Sequence, residues 1–298
     1  MTTPLPPVIA VIGGGVMGSG IAGAFLRAGC NVILIERDEA AAEQARDRVE
    51  RQLQRASGAA VDDGLARLTV GSDVAGIGQA GLIVEAVVED VMAKRQVLAA
   101  AERHAPNARL LATNTSSISI DELAAGMARP DRFLGLHFFN PVLSSALVEV
   151  VVGTATASTA AAYAVDVVRA LAKQPVTVHN SPGFASSRLG VLLALEAIRM
   201  VEEGVATPED IDTVMTLGYR HPVGPLRLTD IVGLDVRLAI AEYLAGRLGP
   251  RFEPPRLLRD LVARGSLGRK AGRGFYVWPA ESAGGGSREC GSSADQGD

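Results

Sequence analysis

Several kinds of residue and segment are scarce in this sequence. Only two cysteines occur among 298 residues, Cys30 and Cys290, which excludes a disulfide framework and a cysteine-based metal cluster. The formal net charge is −4, so no basic surface for nucleic acid or for an anionic membrane is indicated. The first apolar run, Val8–Ile12, ends at a glycine and is too short for a signal segment or a membrane span. Lysine is also rare, a bias that carries no functional information: Lys94, Lys173 and Lys270. We therefore expect a cytoplasmic protein without a bound metal, a nucleic-acid partner or a membrane partner.

Short apolar runs alternate with helical patterns through the first 180 residues. With 48% hydrophobic and 21% charged residues, the composition is that of a globular chain with a sizeable core. The predicted strands are 8–12, 31–35, 82–86, 110–113, 133–136, 147–152 and 176–178, and the predicted helices are 16–28, 38–57, 91–104 and 158–171. Such alternation predicts an α/β domain of the Rossmann type, with a parallel sheet between two layers of helices.

The pattern changes after Pro182 and Gly183. Helical periodicity then continues without a strand, over residues 184–203, 208–217, 234–248 and 256–264. We therefore expect three segments: a Rossmann-like domain over residues 1–180, an all-helical C-terminal domain over 181–278, and a Gly/Ser-rich, disordered tail over 279–298.

A glycine-rich loop follows the first predicted strand and opens the first predicted helix. Its residues Gly13, Gly15 and Gly18 match G-x-G-x-x-G, with Val16 and Met17 at the start of the helix. Gly13 permits the tight turn, Gly15 lets a pyrophosphate approach the backbone, and Gly18 lets the helix pack on the strand. The helix start offers free N–H groups and a positive dipole end to phosphate. The loop predicts a dinucleotide-binding site.

Two charged residues at the end of the second predicted strand bear on the choice of dinucleotide. The carboxylate of Glu36 can accept hydrogen bonds from the adenosine ribose and would repel a 2′-phosphate, which favours NAD over NADP. Arg37 beside it can contact the cofactor or cradle a 2′-phosphate, or it is a solvated surface charge, and we favour the last of these interpretations.

Several further motifs, in order along the chain, resemble those of the 3-hydroxyacyl-CoA dehydrogenase family. They are Val84-Glu-Ala-Val-Val-Glu-Asp90, Thr113-Asn-Thr-Ser-Ser117, Arg129-Pro-Asp-Arg132, His137-Phe-Phe-Asn-Pro141, Leu147-Val-Glu149, Pro182-Gly-Phe184, Glu202-Glu-Gly204, Gly224-Pro225, Asp230-Ile-Val-Gly-Leu-Asp235 and Gly268-Arg-Lys-Ala-Gly-Arg-Gly-Phe-Tyr276. The likeness runs from Val8 to Trp278 and is greatest to the short 3-hydroxybutyryl-CoA dehydrogenases. It implies an NAD-dependent oxidoreductase that interconverts 3-hydroxyacyl and 3-oxoacyl thioesters, with a helical domain that binds substrate and forms a homodimer.

A base for the substrate hydroxyl can be sought among the four histidines. Histidine suits proton transfer near neutral pH, and only His137 ends a predicted strand on the carboxyl side, where open α/β sheets bind ligands. A hairpin-like return of the chain would bring Glu149 beside it, and that carboxylate would orient the imidazole and stabilise the imidazolium. The resemblance implies that His137 and Glu149 are the catalytic pair.

The resemblance also assigns residues around this pair. It implies that the hydroxyl of Ser116 bonds the reacting oxygen, that Glu89 contacts the cofactor and that Asn140 lies at the substrate. Asn114 and Ser117 share the loop of Ser116, where they contact the cofactor or support the turn, and Ser117 is alternatively a turn-forming residue.

The sequence departs from the family at the expected acyl pocket. The family usually follows Pro-Gly-Phe with two apolar residues and then Asn-Arg, whereas here Ala185-Ser186-Ser187-Arg188 follows, so that Ser187 takes the place of a substrate-positioning asparagine. The stretch 141–146 also lacks the methionine and lysine of the usual family pattern. Both changes put the acyl group and its carrier in doubt.

Several alternatives therefore remain. The substrate is acyl-CoA or, as in polyketide extender-unit synthesis, a hydroxyacyl group on acyl carrier protein. The arginines of the long helix, Arg48, Arg51 and Arg55, would hold either carrier or form a solvated face. A non-catalytic NAD-binding scaffold protein and a dehydrogenase of free hydroxy acids are the other candidate classes.

Overall fold

The computed structural model describes residues 5–56 and 61–279. Within them, a single sheet has the strand order β3-β2-β1-β4-β5-β6-β7-β8. The strands are β1 (Val8–Ile12), β2 (Asn31–Ile35), β3 (Leu68–Gly71), β4 (Leu82–Glu85), β5 (Leu110–Thr113), β6 (Phe133–Phe138), β7 (Leu147–Val152) and β8 (Gln174–His179). The order of the first six strands is that of a dinucleotide-binding sheet. Strands are added in one direction from β1 to β3 and in the other from β4 to β6, so the order switches between β1 and β4. The predicted Rossmann-type fold is confirmed.

The sheet is parallel as far as β6, and the chain then turns back. β7 is antiparallel to β6, and β8 is parallel to β7. The hairpin-like return expected between His137 and Glu149 is therefore present. The predicted parallel sheet therefore extends to β6, and β7 reverses direction because a short connection can join neighbouring strands only in antiparallel order. β3 was not predicted from the sequence.

Helices cover both faces of the sheet. They are α1 (Val16–Arg27), α2 (Glu39–Ala56), α3 (Val61–Leu65), α4 (Val91–His104), α5 (Ile120–Ala124) and α6 (Ser158–Ala170). Successive strand residues point to opposite faces, so Ile9 and Val11 join the core formed with α1, α2 and α6, while Ala10 and Ile12 join the core formed with α4 and α5. Asp38 caps α2 as predicted, because its Oδ1 accepts a hydrogen bond from the N–H of Ala41 at 2.7 Å.

The chain divides into two compact units between Leu189 and Gly190. The described part of the second unit is helical, as predicted, with isolated β-bridges in place of a strand. Its helices are α7 (Ser186–Glu202, which begins in the first unit), α8 (Pro208–Thr213), α9 (Pro225–Val232), α10 (Leu234–Leu248) and α11 (Arg256–Ala263), with a π-helical turn at Val214–Gly218. The expected domain boundary near residue 180 stays a prediction. The tail predicted to be disordered lies, from residue 280 onward, outside the described residues. No described helix is both long enough and apolar enough for a membrane span.

The carboxylate of Asp230 binds residues of the segment 275–278, near the end of the described part of the second unit. It is fully buried at the end of α9, and it accepts hydrogen bonds from the backbone N–H groups of Phe275 and Tyr276, each at 2.9 Å. The indole Nε1 of Trp278 donates a third bond to it, at 2.8 Å. Two motifs that are separate in the sequence, 230–235 and 268–276, thus meet at one buried acid.

We expect Asp230→Asn to lower the free energy of unfolding of this unit by about 3 kcal/mol. The amide N–H₂ of asparagine would face N–H groups that donate to the carboxylate in the wild type, and two donors cannot bond each other. Trp278 is the only tryptophan in the sequence, so its fluorescence in a urea titration reports this unit. Asp260→Asn, which alters an exposed i,i+4 pair with Arg256, is the control and should change stability by less than about 0.5 kcal/mol. Equal losses in both variants would contradict this account.

Candidate active site

The glycine loop has the geometry that a dinucleotide requires. Gly13 has a φ of +97°, and a Cβ there would lie 2.7 Å from the carbonyl carbon of Ala86. A Cβ on Gly18 would lie 1.7 Å from the carbonyl oxygen of Gly13, so α1 packs directly against the loop. A Cβ on Gly15 would meet nothing within 4 Å. The backbone at Gly15 is therefore open to a ligand, while Gly13 and Gly18 close the turn beneath it.

The start of α1 and the end of β2 complete this cradle. No side chain caps α1 at Gly15, so the first N–H groups of the helix are left for a phosphate. The Oε1 atom of Glu36 accepts a hydrogen bond from the N–H of Gly14 at 2.7 Å, which places its carboxylate beside the loop. From α2, the guanidinium of Arg48 donates to the carbonyl oxygen of Gly14 at 2.7 Å. The start of α1, Glu36 after β2 and Arg48 of α2 thus form a cradle that fits bound NAD.

Three of the charged residues considered from the sequence lie on the surface. The guanidinium of Arg37 is 84% exposed and donates to Asp38 at 3.1 Å. This pairing with Asp38 supports the interpretation of Arg37 as a surface charge. Arg51 and Arg55 are exposed on α2, unlike Arg48, which reaches the glycine loop.

His137 and Glu149 face each other across the antiparallel pair β6 and β7. They are directly opposite in the strand register, where side chains lie on the same face of the sheet. The Nδ1 atom of His137 lies 2.8 Å from Oε2 of Glu149, and both side chains are buried. The imidazole lies near the rings of Phe139 and Phe184, at centroid distances of 4.6 and 5.8 Å. The other ring nitrogen, Nε2, has no hydrogen-bond partner in the described part of the chain and is available to a ligand.

The carboxylate of Glu149 accepts hydrogen bonds from the start of α7 as well. Its Oε1 atom accepts from the N–H groups of Ala185 and Ser186, at 3.2 and 2.9 Å. Its Oε2 atom accepts from the hydroxyl of Ser186 at 2.7 Å, in addition to the imidazole. Burial by itself would raise the pKa of the Glu149 carboxyl, but the hydrogen bonds from His137 and Ser186 hold that pKa below its ordinary value. Glu149 therefore stays ionised at neutral pH.

The loop after β5 is organised by Glu89. Its Oε1 atom accepts hydrogen bonds from the hydroxyls of Thr115 and Ser117, at 2.5 and 3.1 Å, and from the N–H of Ser116 at 3.1 Å. Burial would raise the pKa of the Glu89 carboxyl, but the charge of Lys94 and these hydrogen bonds hold it below its usual value. The hydroxyl of Ser116 itself has no partner among the described residues, so the loop is fixed while that hydroxyl stays free.

Asn114 links this loop to the strand that carries the histidine. Its side-chain oxygen accepts a hydrogen bond from the N–H of Phe138 at 2.9 Å, one residue beyond His137. This bond fastens Asn114 to β6, and its predicted contact with the cofactor stays a prediction.

Sequence reasoning missed a buried ion pair beneath the site. The Nζ atom of Lys94 lies 2.8 Å from Oε1 of Glu85 and 3.3 Å from Oε2 of Glu89, and the Lys94 side chain is 1% exposed. The hydroxyl of Thr113 donates to Glu85 at 2.6 Å. Lys94 thereby joins β4, β5 and the loop of Glu89. A signal was available, because Lys94 precedes the buried Leu98 and Ala101 by four and seven residues and so lies on the buried face of α4.

The remaining predicted residues lie at the edge of this cluster. Asn140 is exposed immediately after β6, and Ser187 is half-buried in the first turn of α7, where its hydroxyl has no hydrogen-bond partner in the described residues. The residue before it, Ser186, was not selected from the sequence although it bonds Glu149. In the described ranges, no group of three or more His, Cys, Asp or Glu side chains is arranged to hold a metal ion.

Comparison with known proteins identifies two family matches that together span the described chain. Residues 8–181 match the family model described as 3-hydroxyacyl-CoA dehydrogenase, NAD binding domain. Residues 183–278 match the one described as 3-hydroxyacyl-CoA dehydrogenase, C-terminal domain.

Individual relatives cover almost the whole chain. The 3-hydroxybutyryl-CoA dehydrogenase of Mycobacterium tuberculosis (strain ATCC 25618 / H37Rv) is 42% identical over 280 residues, which are 91% of this chain and 98% of the relative. A probable 3-hydroxybutyryl-CoA dehydrogenase of Bacillus subtilis is 40% identical over 275 residues, with 90% and 96% covered. The crystal structure of (S)-3-hydroxybutyryl-CoA dehydrogenase PaaH1 from Ralstonia eutropha is 39% identical, has a TM-score of 0.87, and is matched over 92% of this chain and 99% of that one.

We expect kcat/KM to be at least about tenfold higher with NADH than with NADPH, because a 2′-phosphate near the Glu36 carboxylate would be repelled by up to about 4 kcal/mol at 4 Å. Steady-state kinetics with both cofactors measure the ratio. Glu36→Gln should reduce the preference, whereas Glu43→Gln, on the exposed face of α2, should leave it unchanged. A higher kcat/KM with NADPH would refute the assignment, and Arg37→Ala would then test whether Arg37 binds that phosphate.

Proposed function

The chain belongs to the 3-hydroxyacyl-CoA dehydrogenase family, and we propose that it interconverts a 3-hydroxyacyl thioester and a 3-oxoacyl thioester, with His137 as the general acid and base. The single observation that carries this proposal is the buried contact of 2.8 Å between Nδ1 of His137 and Glu149, which leaves Nε2 free on the other side of the ring. A base needs one nitrogen held and the other open to substrate.

In the oxidation direction, Nε2 of His137 takes the proton of the substrate hydroxyl. The ring must be in the tautomer that carries hydrogen on Nδ1, and the Glu149 carboxylate selects that tautomer by accepting the hydrogen. As the imidazolium forms, its positive charge lies beside this carboxylate, which lowers the energy of the charged state. In the reduction direction, the same imidazolium returns the proton to the developing alkoxide.

The surroundings of His137 keep water from the proton transfer. The rings of Phe139 and Phe184 lie beside the imidazole, and Phe184 is 3% exposed. A low local dielectric strengthens the interaction between the imidazolium and Glu149. The hydroxyl of Ser116, on the loop fixed by Glu89, would donate a hydrogen bond to the substrate oxygen on which charge develops.

NAD, when bound, supplies the hydride acceptor. The residues suited to hold it are Gly13, Gly15 and Gly18 with the N–H groups of Val16 and Met17 at its phosphates, and Glu36 at its ribose. Glu89 and Asn114 fix the loops at the carboxyl ends of β4 and β5, next to the reversal point of the sheet where such ligands bind.

The presence of a complete proton-transfer set favours an enzyme over an NAD-binding scaffold protein. Within the part of the chain that the structure describes, one unit combines a buried carboxylate on Nδ1 with an Nε2 and a serine hydroxyl that lack hydrogen-bond partners. A scaffold would not need this combination. The (S)-3-hydroxybutyryl-CoA named for the Ralstonia relative is the first substrate to test. A homodimer, implied by the family resemblance, stays a prediction.

We expect His137→Gln to lower kcat by about 10²- to 10⁴-fold, the usual contribution of a general acid or base. Binding of NADH, followed by its fluorescence, should be close to wild type, since His137 is not part of the nucleotide cradle. His104→Gln, at the exposed end of α4, is the control and should retain full turnover. A His137→Gln enzyme with more than half of the wild-type turnover would refute the proposed role.

Ser187→Asn tests which acyl group the enzyme accepts. If the substrate is an ordinary short 3-oxoacyl-CoA, the added amide should raise kcat/KM on acetoacetyl-CoA, by up to about 10²-fold for a hydrogen bond to developing charge. If the half-buried hydroxyl of Ser187 fits a polar acyl group, the substitution should lower activity on a hydroxyacyl or dihydroxyacyl thioester of acyl carrier protein. No change on either substrate would place Ser187 outside the working site.

A further inference from the structure

Ser186 begins α7, and its hydroxyl donates a hydrogen bond to the Glu149 carboxylate at 2.7 Å. We propose that Ser186 is a positioning residue that weakens Glu149 as a hydrogen-bond acceptor and thereby sets the pH at which His137 becomes protonated. The inference rests on the proposed function, in which His137 and Glu149 transfer the substrate proton.

The geometry shows that two donors compete for one oxygen atom. Oε2 of Glu149 accepts from Nδ1 of His137 at 2.8 Å and from Oγ of Ser186 at 2.7 Å. Oε1 is already occupied by the N–H groups of Ala185 and Ser186. A carboxylate has about four acceptor sites, so all of them are filled. An apolar side chain at position 186 would leave His137 as the only donor to Oε2.

A second hydrogen bond to Oε2 makes that oxygen less basic. A less basic acceptor stabilises the imidazolium less, and neutral His137, the form that accepts the substrate proton, then persists to lower pH. Burial raises the pKa of the Glu149 carboxyl, and the hydrogen bonds from His137 and from the Ser186 hydroxyl lower it to below its ordinary value. Ser186 therefore acts through Glu149 and not by contact with the imidazole.

Among the described residues, His137 and Ser186 are the side chains that hydrogen-bond the Glu149 carboxylate. On β6 the residue opposite Glu149 is His137, and on β8 it is Val176. The nearest cation along α7, Arg188, donates to the hydroxyl of Ser181 at 3.4 Å. The imidazole itself contacts the Glu149 carboxylate and lies beside the rings of Phe139 and Phe184.

The test uses an isosteric pair of variants in the full chain. Ser186→Thr keeps the hydroxyl and Ser186→Val replaces it with a methyl group, so the difference between them measures the hydroxyl alone. Ser181→Ala, in the same turn but without a bond to Glu149, is the control. Each enzyme is assayed for kcat/KM against pH with NAD and (S)-3-hydroxybutyryl-CoA. In parallel, the C2 proton of His137 is titrated by NMR, where it is one of four histidine signals and is assigned with His137→Gln.

We expect the acidic limb of the pH profile, and the NMR midpoint of His137, to move upward by about half a pH unit or more in Ser186→Val. Both should stay near wild type in Ser186→Thr and Ser181→Ala, and KM should change little in all of them. Glu149→Gln should move the limb in the opposite direction, because the imidazolium then loses its carboxylate partner.

The inference is overturned if Ser186→Val and Ser186→Thr titrate alike, or if the midpoint in Ser186→Val moves downward. The NMR titration needs no turnover, so it separates this inference from the proposed function. If wild type fails to oxidise any 3-hydroxyacyl thioester but the midpoint moves as expected, the proposed function is wrong and the coupling between Ser186 and His137 still holds.

Discussion

The hydrogen bond between His137 and Glu149 depends on one change of strand direction. As far as β6, the sheet is the parallel sheet of a dinucleotide-binding fold, and its carboxyl edge presents loops. β7 then runs back along β6, which puts a carboxylate opposite the histidine in register. Because cross-strand neighbours on one face are about 5 Å apart, the pair is imposed by the backbone and needs no long, flexible side chain to reach it.

Burying a carboxylate between two strands is costly unless its oxygens receive hydrogen bonds. The start of α7 supplies these bonds. Gly183 and Phe184 both have positive φ, at 74° and 50°, and the turn they form directs the N–H groups of Ala185 and Ser186 at Glu149. Backbone donors at a helix start carry partial positive charge, and every residue except proline supplies one. The positive φ at Phe184, which is unfavourable for a non-glycine residue, is thus associated with the arrangement of the site.

Two further acids, the buried Glu85 and the exposed Glu89, organise the loop that carries Ser116. Lys94 neutralises Glu85 beneath the sheet edge and lies within 3.3 Å of Glu89. Glu89 in turn holds the backbone and hydroxyls of the loop that carries Ser116. The side chains proposed to contact ligand, His137 and Ser116, are therefore each positioned by a carboxylate that is itself fixed by several donors. Among the described residues, Nε2 of His137 and the hydroxyl of Ser116 then have no hydrogen-bond partner, as the proposed contacts with substrate require.

The sequence by itself determined the parts of this protein that depend on local order. The alternation of apolar runs and helical patterns, the glycine loop between β1 and α1, and the placement of His137 at a strand end all follow from short-range periodicity and turn chemistry. What it could not determine were the contacts that depend on register and on distant turns. Glu149 and Ser186 are 37 residues apart, and helical spacing places Lys94 on the buried face of α4 without identifying the acids that it meets. Only the tertiary structure decides which donors converge on a buried carboxylate, because that choice follows from how strands and helix ends meet in space.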